Sequence, residues 1–387
     1  MAAAVLNPPS QTIDVPAYHQ VPETKYELDW ADLATLDLSK FDQPGGKEEL
    51  SKQLFEAIQN IGFFYIVNFG LSQKQVDQQF AIGKEVFKLP TEEKLKHRAD
   101  LEHGGYNGYK PMCLREIRPG IFDNTEIYNI PKFIPALERS HPAVINDNRG
   151  SIEAFARHIH DEVVRKLLVL FALILELPED YFLRSHRYEE RSDCHLRYMK
   201  YHRRTPAQNQ ALGDVWVKGH TDFGSLTLLF RQPVAALQVR TPSASGKEDE
   251  NGESLSQHSW KWVKPYPVSI TVNIADSLEF LTNGFLKSSI HRVVAPPPDQ
   301  ADVDRLGVLY FVRPEDSLEL RPVASGVLER LGYYNKSSTD DGGAAVGITA
   351  GEWVKARVAS GVSRGDAPRS DVSEQHILGG RSAKYYD

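Results

Sequence analysis

The sequence of 387 residues has few cysteines and no long apolar segment. Only Cys113 and Cys194 are present, so the chain offers neither a Cys-rich zinc pattern nor a disulfide framework. The longest apolar run, 167–175, is far shorter than the ~18 residues that a transmembrane helix requires. These absences favour a protein that folds in a reducing compartment and does not cross a membrane.

Clusters of basic residues are also lacking. The net charge is -7, with 45 Lys and Arg against 52 Asp and Glu, and no Lys/Arg cluster supplies the surface that neutralises nucleic-acid phosphates. We therefore expect no nucleic-acid partner, and the sequence makes no obligate protein partner evident. Residues 1–10 lack the pattern of a secretory signal and the final SAKYYD matches no retrieval signal, so we expect a cytoplasmic location.

The composition is that of an ordinary globular protein, with 41% hydrophobic and 25% charged residues. At ~150 residues per domain, the length suits two or three modules or one large, decorated domain. The expected organisation is a leader at 1–30, an N-terminal region at 31–150, a long core helix with its connector at 151–190, a β-rich domain at 191–320, and a C-terminal helical extension at 321–387.

The first half of the chain is predicted to mix helices and strands. Apolar residues recur at helical spacing over 47–61, and Ser72 with Gln75 has the form of a capping box that opens a second helix. Glycines, prolines and aromatics without a clean period predict loops at 99–145. The other elements predicted here are a strand at 63–70, a short helix at 91–98 and a long helix at 151–177.

Beyond residue 190 the apolar period changes from 3.6 to 2, which predicts a sandwich or barrel of short strands. Asn283-Gly284 has the form of a type I′ turn between two antiparallel strands. The polar stretch 242–259 predicts a long surface loop, and Thr349 is expected to cap a helix near the C-terminus. The predicted strands are HLRYMKY, SLTLLF, ALQVR, WKWV, VSITVNI, SLEFL, SSIHRVV and RLGVLYFV.

One constellation in this β-rich part points to chemistry. His220 and Asp222 are two positions apart, which places both side chains on the same face of a strand. A lone His-x-Asp pattern is weak, but His291 follows 69 positions later on another predicted strand. Two histidines and one carboxylate form the facial triad of non-haem Fe(II) sites, which leaves coordination positions open for dioxygen chemistry. Arg305 begins the next predicted strand, where its guanidinium would grip a carboxylate bidentately.

These residues lie in segments that resemble a known family. The segments KGHTDFGSLTLLF, ALQVR, VNIADSLEFLTNGFLKSSIHRVV and DRLGVLYF resemble the Fe(II)/2-oxoglutarate-dependent dioxygenases of the isopenicillin N synthase-like group. The first third, with IGFFYIVNFGLS, FKLPTEEKLK and GGYNGY, is similar to the group's N-terminal region, so that the resemblance covers about 30–315. It implies an all-β core, a double-stranded β-helix (jelly-roll), with flanking helices and a mixed α/β N-terminal region. It also implies that His220, Asp222 and His291 are the iron ligands.

The resemblance further implies Fe(II), 2-oxoglutarate and O₂ as cofactor and cosubstrates. Arg305 matches the group's carboxylate-binding arginine and Tyr201 its cosubstrate-contacting tyrosine, but Gly307 stands where the group has a serine hydroxyl. The implied reaction is oxidation of a small organic metabolite by hydroxylation, desaturation or ring formation, with release of succinate and CO₂. No catalytic residues beyond the metal ligands are expected.

Two questions stay open at the level of sequence. Tyr106, Tyr109 and Phe223 are candidates for the substrate pocket, but aromatic residues at such positions are as often plain core packing. The alternative functions are an Fe(II) oxidase of the same fold that does not consume 2-oxoglutarate, and a non-catalytic jelly-roll that binds a metal or ligand. Gly307 keeps the oxidase alternative open, whereas the intact triad and Arg305 argue against the non-catalytic one.

Overall fold

The computed structural model describes residues 15–241, 246–248, 254–256, 259–335, 347–363 and 372–386. The helices are α1 (Gly46–Asn60), α2 (Gln73–Lys88), α3 (Thr91–Leu95), α4 (Ala143–Asp147), α5 (Arg149–His158), α6 (Arg165–Ile174), α7 (Pro206–Leu212), α8 (Asp276–Leu281), α9 (Gly326–Arg330) and α10 (Ala350–Ser363). None of the helices in these ranges is long and apolar enough to span a membrane.

The strands form two large sheets and two small two-stranded sheets. They are β1 (Thr35–Asp37), β2 (Phe63–Val67), β3 (Gly108–Lys110), β4 (Glu116–Arg118), β5 (Ile121–Phe122), β6 (Thr125–Pro131), β7 (His195–Tyr201), β8 (Val215–His220), β9 (Leu226–Phe230), β10 (Leu237–Thr241), β11 (Gly246–Glu248), β12 (Ser254–Ser256), β13 (Ser259–Trp262), β14 (Ile270–Ile274), β15 (His291–Val294), β16 (Arg305–Val312), β17 (Val372–Leu378) and β18 (Arg381–Tyr386). The two small sheets are β4-β5 and β11-β12, one large sheet has the order β1-β2-β14-β9-β16-β7-β6-β3, and the other has the order β13-β10-β15-β8-β18-β17. This is the predicted jelly-roll core with flanking helices.

The larger sheet is buried on both faces. One face packs into the hydrophobic core, and the other lines a cavity between the two sheets. In β16 the even-numbered Val308, Tyr310 and Val312 belong to the main hydrophobic core, where α1 and α2 pack against the sheet. The odd-numbered Gly307 and Leu309 instead line a cavity that also receives side chains from the smaller sheet. Because successive side chains point to opposite faces of a strand, the two sheets face each other across this cavity.

The helix predictions in the first half of the chain are confirmed. The Ser72 side chain accepts a hydrogen bond from the Gln75 N–H, and the Gln75 side chain accepts one from the Ser72 N–H, which completes the capping box of α2. The long helix predicted at 151–177 is observed as α5 and α6, joined by a π-helical segment over Ile159–Val164. The helix capped at Thr349 is α10.

The predicted hairpin at Asn283-Gly284 is wrong, and so is the prediction of a strand at SLEFL. These residues form α8, whose first N–H groups bond to the chain near the candidate metal site: Asp276 N–H to the Asp222 carbonyl (2.9 Å) and Ser277 N–H to the Gly224 carbonyl (2.7 Å). Asn283 and Gly284 do have positive φ, 49° and 86°, but they follow a helix instead of joining two strands. The apolar residues of this short segment, Leu278, Phe280 and Leu281, fit both periods, so hydrogen bonds to distant residues determine its helical form.

Three further expectations need correction. Residues 99–145 are not only loops, because β6 lies buried within the larger sheet and satisfies its polar side chains there. The C-terminal extension is not only helical: β17 and β18 form a hairpin around Gly379 and Gly380, whose φ of 54° and 75° suit a tight turn. The stretch 242–259 lies partly outside the described residues, and its described parts include the paired strands β11 and β12. The strand β8 is not among the predicted strands. The strand expected to carry both His220 and Asp222 ends at His220, so Asp222 lies just beyond it.

A buried ion pair fastens β6 to the N-terminal region. The carboxylate of Glu126 pairs with the Lys94 ammonium and accepts hydrogen bonds from Tyr109 Oη (2.5 Å) and His202 Nε2 (3.0 Å). Burial opposes ionisation of Glu126, but these three partners outweigh it and lower its pKa to about 2. We expect Glu126→Gln to reduce the free energy of unfolding by about 3–5 kcal/mol, because it leaves the Lys94 charge buried and unpaired. Urea denaturation measures this loss.

The matched control for this prediction is an exposed ion pair. Glu138 contacts Arg149 at 2.7 Å with both side chains largely in solvent, and Glu138→Gln should cost no more than about 1 kcal/mol. Equal losses in the two variants would contradict the assignment of Glu126 as a buried structural charge.

Candidate active site

The structure brings together the three side chains that the sequence singles out as metal ligands. His220 ends β8 and His291 begins β15, and the two residues are direct partners in the antiparallel ladder. Their ring centroids lie 4.4 Å apart. Asp222 follows β8, and its Oδ2 lies 3.9 Å from His291 Nε2. One ligand atom from each residue lies within 4.8 Å of the others, so a single ion can contact all three. We refer to these three side chains as the metal cluster.

Backbone carbonyls orient both imidazoles. Nδ1 of His220 contacts the Lys218 carbonyl at 2.9 Å, and Nδ1 of His291 contacts the Ser289 carbonyl at 3.1 Å. A carbonyl oxygen only accepts hydrogen bonds, so Nδ1 carries a proton in each ring and Nε2 is the nitrogen left to bind a metal. Burial lowers the pKa of His220 to about 3, which keeps this ring neutral. Imidazoles that are oriented in this way through Nδ1 are suitable metal ligands.

The surroundings of Asp222 keep its carboxylate ionised, as an anionic metal ligand requires. Its Oδ2 accepts hydrogen bonds from Thr227 Oγ1 (2.7 Å) and Asn273 Nδ2 (3.1 Å). Burial alone would raise the pKa of Asp222, but the neighbouring imidazoles and these two hydrogen bonds hold it well below its usual range. Two neutral imidazoles and one carboxylate are a donor set for a divalent first-row metal ion.

A small cavity of about 80 Å³ adjoins this cluster between the two sheets. Arg305 and Tyr201 are direct partners in the ladder of β16 and β7, and both line the cavity. The Arg305 guanidinium lies 5.4 Å from the centroid of the Tyr201 ring. Burial raises the pKa of Tyr201 to about 12, so its hydroxyl stays protonated and able to donate.

Arg305 is buried, and no anionic partner balances its charge among the described residues. It is 4% exposed, and its Nε has no hydrogen-bond partner among the described residues. No ion pair with Arg305 occurs in that part of the chain either. A buried guanidinium without a partner is costly, and a dicarboxylate that reaches from the metal cluster into this cavity would supply one. The residues present therefore fit both the metal and 2-oxoglutarate.

A larger cavity of about 580 Å³ also borders the cluster, and Tyr201, His220 and Asp222 line both cavities. Tyr106 and Phe223 line the larger cavity, with ring centroids 6.3 Å apart. Tyr109 does not line either cavity: it is buried in the core and its hydroxyl donates to Glu126. The structure thus removes Tyr109 from the candidate substrate residues and leaves the other two on the wall.

The sequence interpretation missed the buried arginines of this cavity. Arg197, Arg313 and Arg357 all line it. A signal for two of them was available: Arg197 has the same parity as Tyr201 on β7, and Arg313 the same parity as Arg305, so that all four point between the sheets. No local sequence pattern predicts that Arg357 lines this cavity, because it lies on α10 in the C-terminal region.

Two family models match the chain over most of its length. Residues 33–149 match the model described as the N-terminal domain of a non-haem dioxygenase in morphine synthesis. Residues 192–314 match the model of the 2OG-Fe(II) oxygenase superfamily, and this span contains the metal cluster, Tyr201 and Arg305.

Similar proteins cover most of both chains. The UPF0676 protein C1494.01 of Schizosaccharomyces pombe is 31% identical over 79% of this chain and 87% of its own length. A 2-oxoglutarate-dependent dioxygenase of Gibberella zeae is 30% identical over 78% of this chain and 86% of its own length. A full-length Neurospora crassa protein, crystallised in complex with alpha-KG and thymine, has a TM-score of 0.67 at 23% identity, covering 85% of this chain and 97% of that one. At this identity the structural likeness speaks for the fold alone.

Proposed function

The chain belongs to the 2OG-Fe(II) oxygenase superfamily, in its isopenicillin N synthase-like group, and we propose that His220, Asp222 and His291 hold its catalytic Fe(II). The protein is a 2-oxoglutarate-dependent dioxygenase that acts on a small organic molecule. The observation that carries the ligand assignment is the convergence of two imidazole Nε2 atoms and one carboxylate, all oriented by buried hydrogen bonds. A cytoplasmic location remains part of the proposal, supported by the free thiols of Cys113 and Cys194.

The residues of this chain bind, orient and shield the reactants. When bound, Fe(II) and 2-oxoglutarate supply the oxidising equivalent from O₂, with release of succinate and CO₂. Arg305 pairs with the distal carboxylate of 2-oxoglutarate, and the Tyr201 hydroxyl donates to the same group. Phe63, Leu229 and other apolar side chains of the small cavity exclude water around these contacts.

Titration of the anaerobic Fe(II) protein with 2-oxoglutarate tests this proposal. Bidentate chelation of the ion by the keto acid is expected to produce a visible charge-transfer band that saturates with cosubstrate. Release of succinate and CO₂ on admission of O₂ should follow. Absence of the band, together with oxygen consumption that does not require a keto acid, would instead favour the same-fold oxidase.

Gly307 allows a prediction about cosubstrate affinity. It lines the small cavity, and a Cβ at this position would lie 3.4 Å from Leu309 Cδ1, which is an ordinary contact. A serine hydroxyl there fits and could donate to the cosubstrate carboxylate. A hydrogen bond to a charged group contributes about 1.5–3 kcal/mol, so Gly307→Ser should tighten 2-oxoglutarate binding by about tenfold to a hundredfold.

The control for this variant is Gly307→Ala, which fills the same space without a donor. Titration of both variants with 2-oxoglutarate under anaerobic conditions separates the hydroxyl from the added volume. Equal affinities in the two variants would show that the hydroxyl does not reach the cosubstrate.

A further inference from the structure

The wall of the larger cavity carries more cationic than anionic side chains although the whole chain is acidic. Its lining residues include eight Lys and Arg but only three Asp and Glu, whereas the chain carries a net charge of -7. One of the three acidic residues is Asp222, whose charge the metal ion would neutralise. Lys110 is paired with Asp123 (2.8 Å) and Arg357 with Asp276 (3.5 Å), so the cations that bear most directly on an anion site are Arg313 and Arg197.

Arg313 is the most deeply buried of these cations. It is 2% exposed, and neither its Nε nor its Nη1 has a hydrogen-bond partner among the described residues. Arg313 forms an ion pair with Asp193, but the pair is long, with Oδ2 3.8 Å from Nε, so no hydrogen bond joins the two groups. Gly224 leaves room for the guanidinium, since a Cβ there would lie 2.5 Å from Nη1.

Arg197 approaches the same region from β7 and lines both cavities. Its Nε donates to Asn129 Oδ1 (2.8 Å), and its Nη2 lies 3.3 Å from His195 Nε2. His195 Nδ1 is 2.7 Å from the Asp193 carbonyl, so Nδ1 carries the proton and Nε2 accepts from Arg197. His195 is therefore neutral and does not balance the charge of either arginine.

Aromatic rings hold the two guanidiniums near each other. The Phe311 ring centroid is 4.2 Å from the Arg197 guanidinium carbon and 5.3 Å from that of Arg313. Tyr106 contacts Arg197 at 4.7 Å, and Phe223 contacts Arg313 at 5.2 Å. The same wall thus combines fixed cations with flat apolar surfaces, and it is continuous with the metal cluster.

We propose that this cavity binds an organic carboxylic acid with an apolar or aromatic body, and that Arg313 and Arg197 hold its carboxylate. A guanidinium pair of this kind matches the planar geometry of a carboxylate. The apolar body then lies against Tyr106 and Phe223 and extends toward the metal cluster. The inference rests on the proposed function, because it names the substrate class of the same site.

The test compares 2-naphthoate with 2-naphthamide, which share an aromatic body and differ in charge. Isothermal titration calorimetry on the full chain, freed of metal and without 2-oxoglutarate, measures both affinities. The acid is expected to bind at least about tenfold more tightly than the amide, as for a charge-assisted hydrogen bond. Arg313→Met should abolish this preference while leaving the affinity for the amide within about twofold.

Three further variants keep the test decisive. Arg197→Met should reduce the preference independently, and Arg313→Lys should retain part of it, so the proposal stays testable if Arg313→Met fails to fold. Arg330→Met is the control, because it removes the same charge from an exposed ion pair with Glu176 and should leave both affinities unchanged.

Several outcomes would overturn the proposal. They are equal affinities for acid and amide in the unmodified protein, no binding of either compound at millimolar concentration, and a preference that survives both methionine variants in the cavity. Loss of the preference in Arg305→Leu but not in Arg313→Met would place the carboxylate in the cosubstrate cavity instead. Since iron and 2-oxoglutarate are absent from this experiment, its failure is distinct from failure of the charge-transfer titration.

Discussion

Asp222→Ala is expected to reduce 2-oxoglutarate turnover to the background rate while the protein stays folded. The substitution removes the anionic ligand, and the two remaining imidazoles do not make a facial site for Fe(II). The hydrophobic core is untouched, so the loss of stability should be limited to about 1–3 kcal/mol from the unpaired Thr227 and Asn273 donors. Iron content, succinate release and thermal unfolding by circular dichroism together measure the effect. His220→Ala and His291→Ala should behave alike.

The matched control is Asp180→Ala, which removes a carboxylate from an exposed ion pair with Arg184. It should retain the iron content and turnover of the unmodified protein. Full turnover in Asp222→Ala at an iron occupancy equal to that of the unmodified protein would refute the ligand assignment.

Arg305→Leu is expected to raise the apparent 2-oxoglutarate constant by about a hundredfold or more. The variant loses a charge-assisted pair, which has two parallel hydrogen bonds when bidentate. Iron binding should persist, because Arg305 is not part of the His220, Asp222 and His291 cluster. In the ligand-free protein the thermal stability should be equal or higher, since the leucine replaces a buried guanidinium whose Nε lacks a partner in the described structure.

Anaerobic titration and thermal unfolding of the same preparation measure both parts of this prediction. Arg184→Leu, at the exposed end of the ion pair with Asp180, removes the same charge and should change neither quantity. A normal cosubstrate constant in Arg305→Leu would mean that 2-oxoglutarate is held elsewhere or is not used.

Elements with strong local signals were predicted well. The α2 helix begins at a complete capping box whose donors and acceptors lie three residues apart, so it needs no distant partner. The strands β7 and β16 were predicted because each is an apolar or alternating run of seven or eight residues. Arg305 and Tyr201 were assigned through the family resemblance, and the structure pairs them directly in the ladder of these two strands.

Elements with short or polar sequences were predicted poorly. The SLEFL segment fits both periods, and its helical form depends on hydrogen bonds to the chain around Asp222 and Gly224. Residues of β6 such as Glu126 and Asn129 look solvent-exposed in sequence, yet each is buried with partners from distant segments. Local propensity carries no information about such partners.

The donor types of the candidate metal site were evident from the sequence. His220 ends β8, Asp222 follows that strand, His291 begins β15, and Arg305 begins β16. The character of the larger cavity, in contrast, depends on the tertiary fold. Arg357 comes from a distant helix, and Arg197 and Arg313 converge only because β7 and β16 are neighbours in the sheet. Charge in a cavity depends on which segments meet there, and that is a property of the fold and not of any single stretch of sequence.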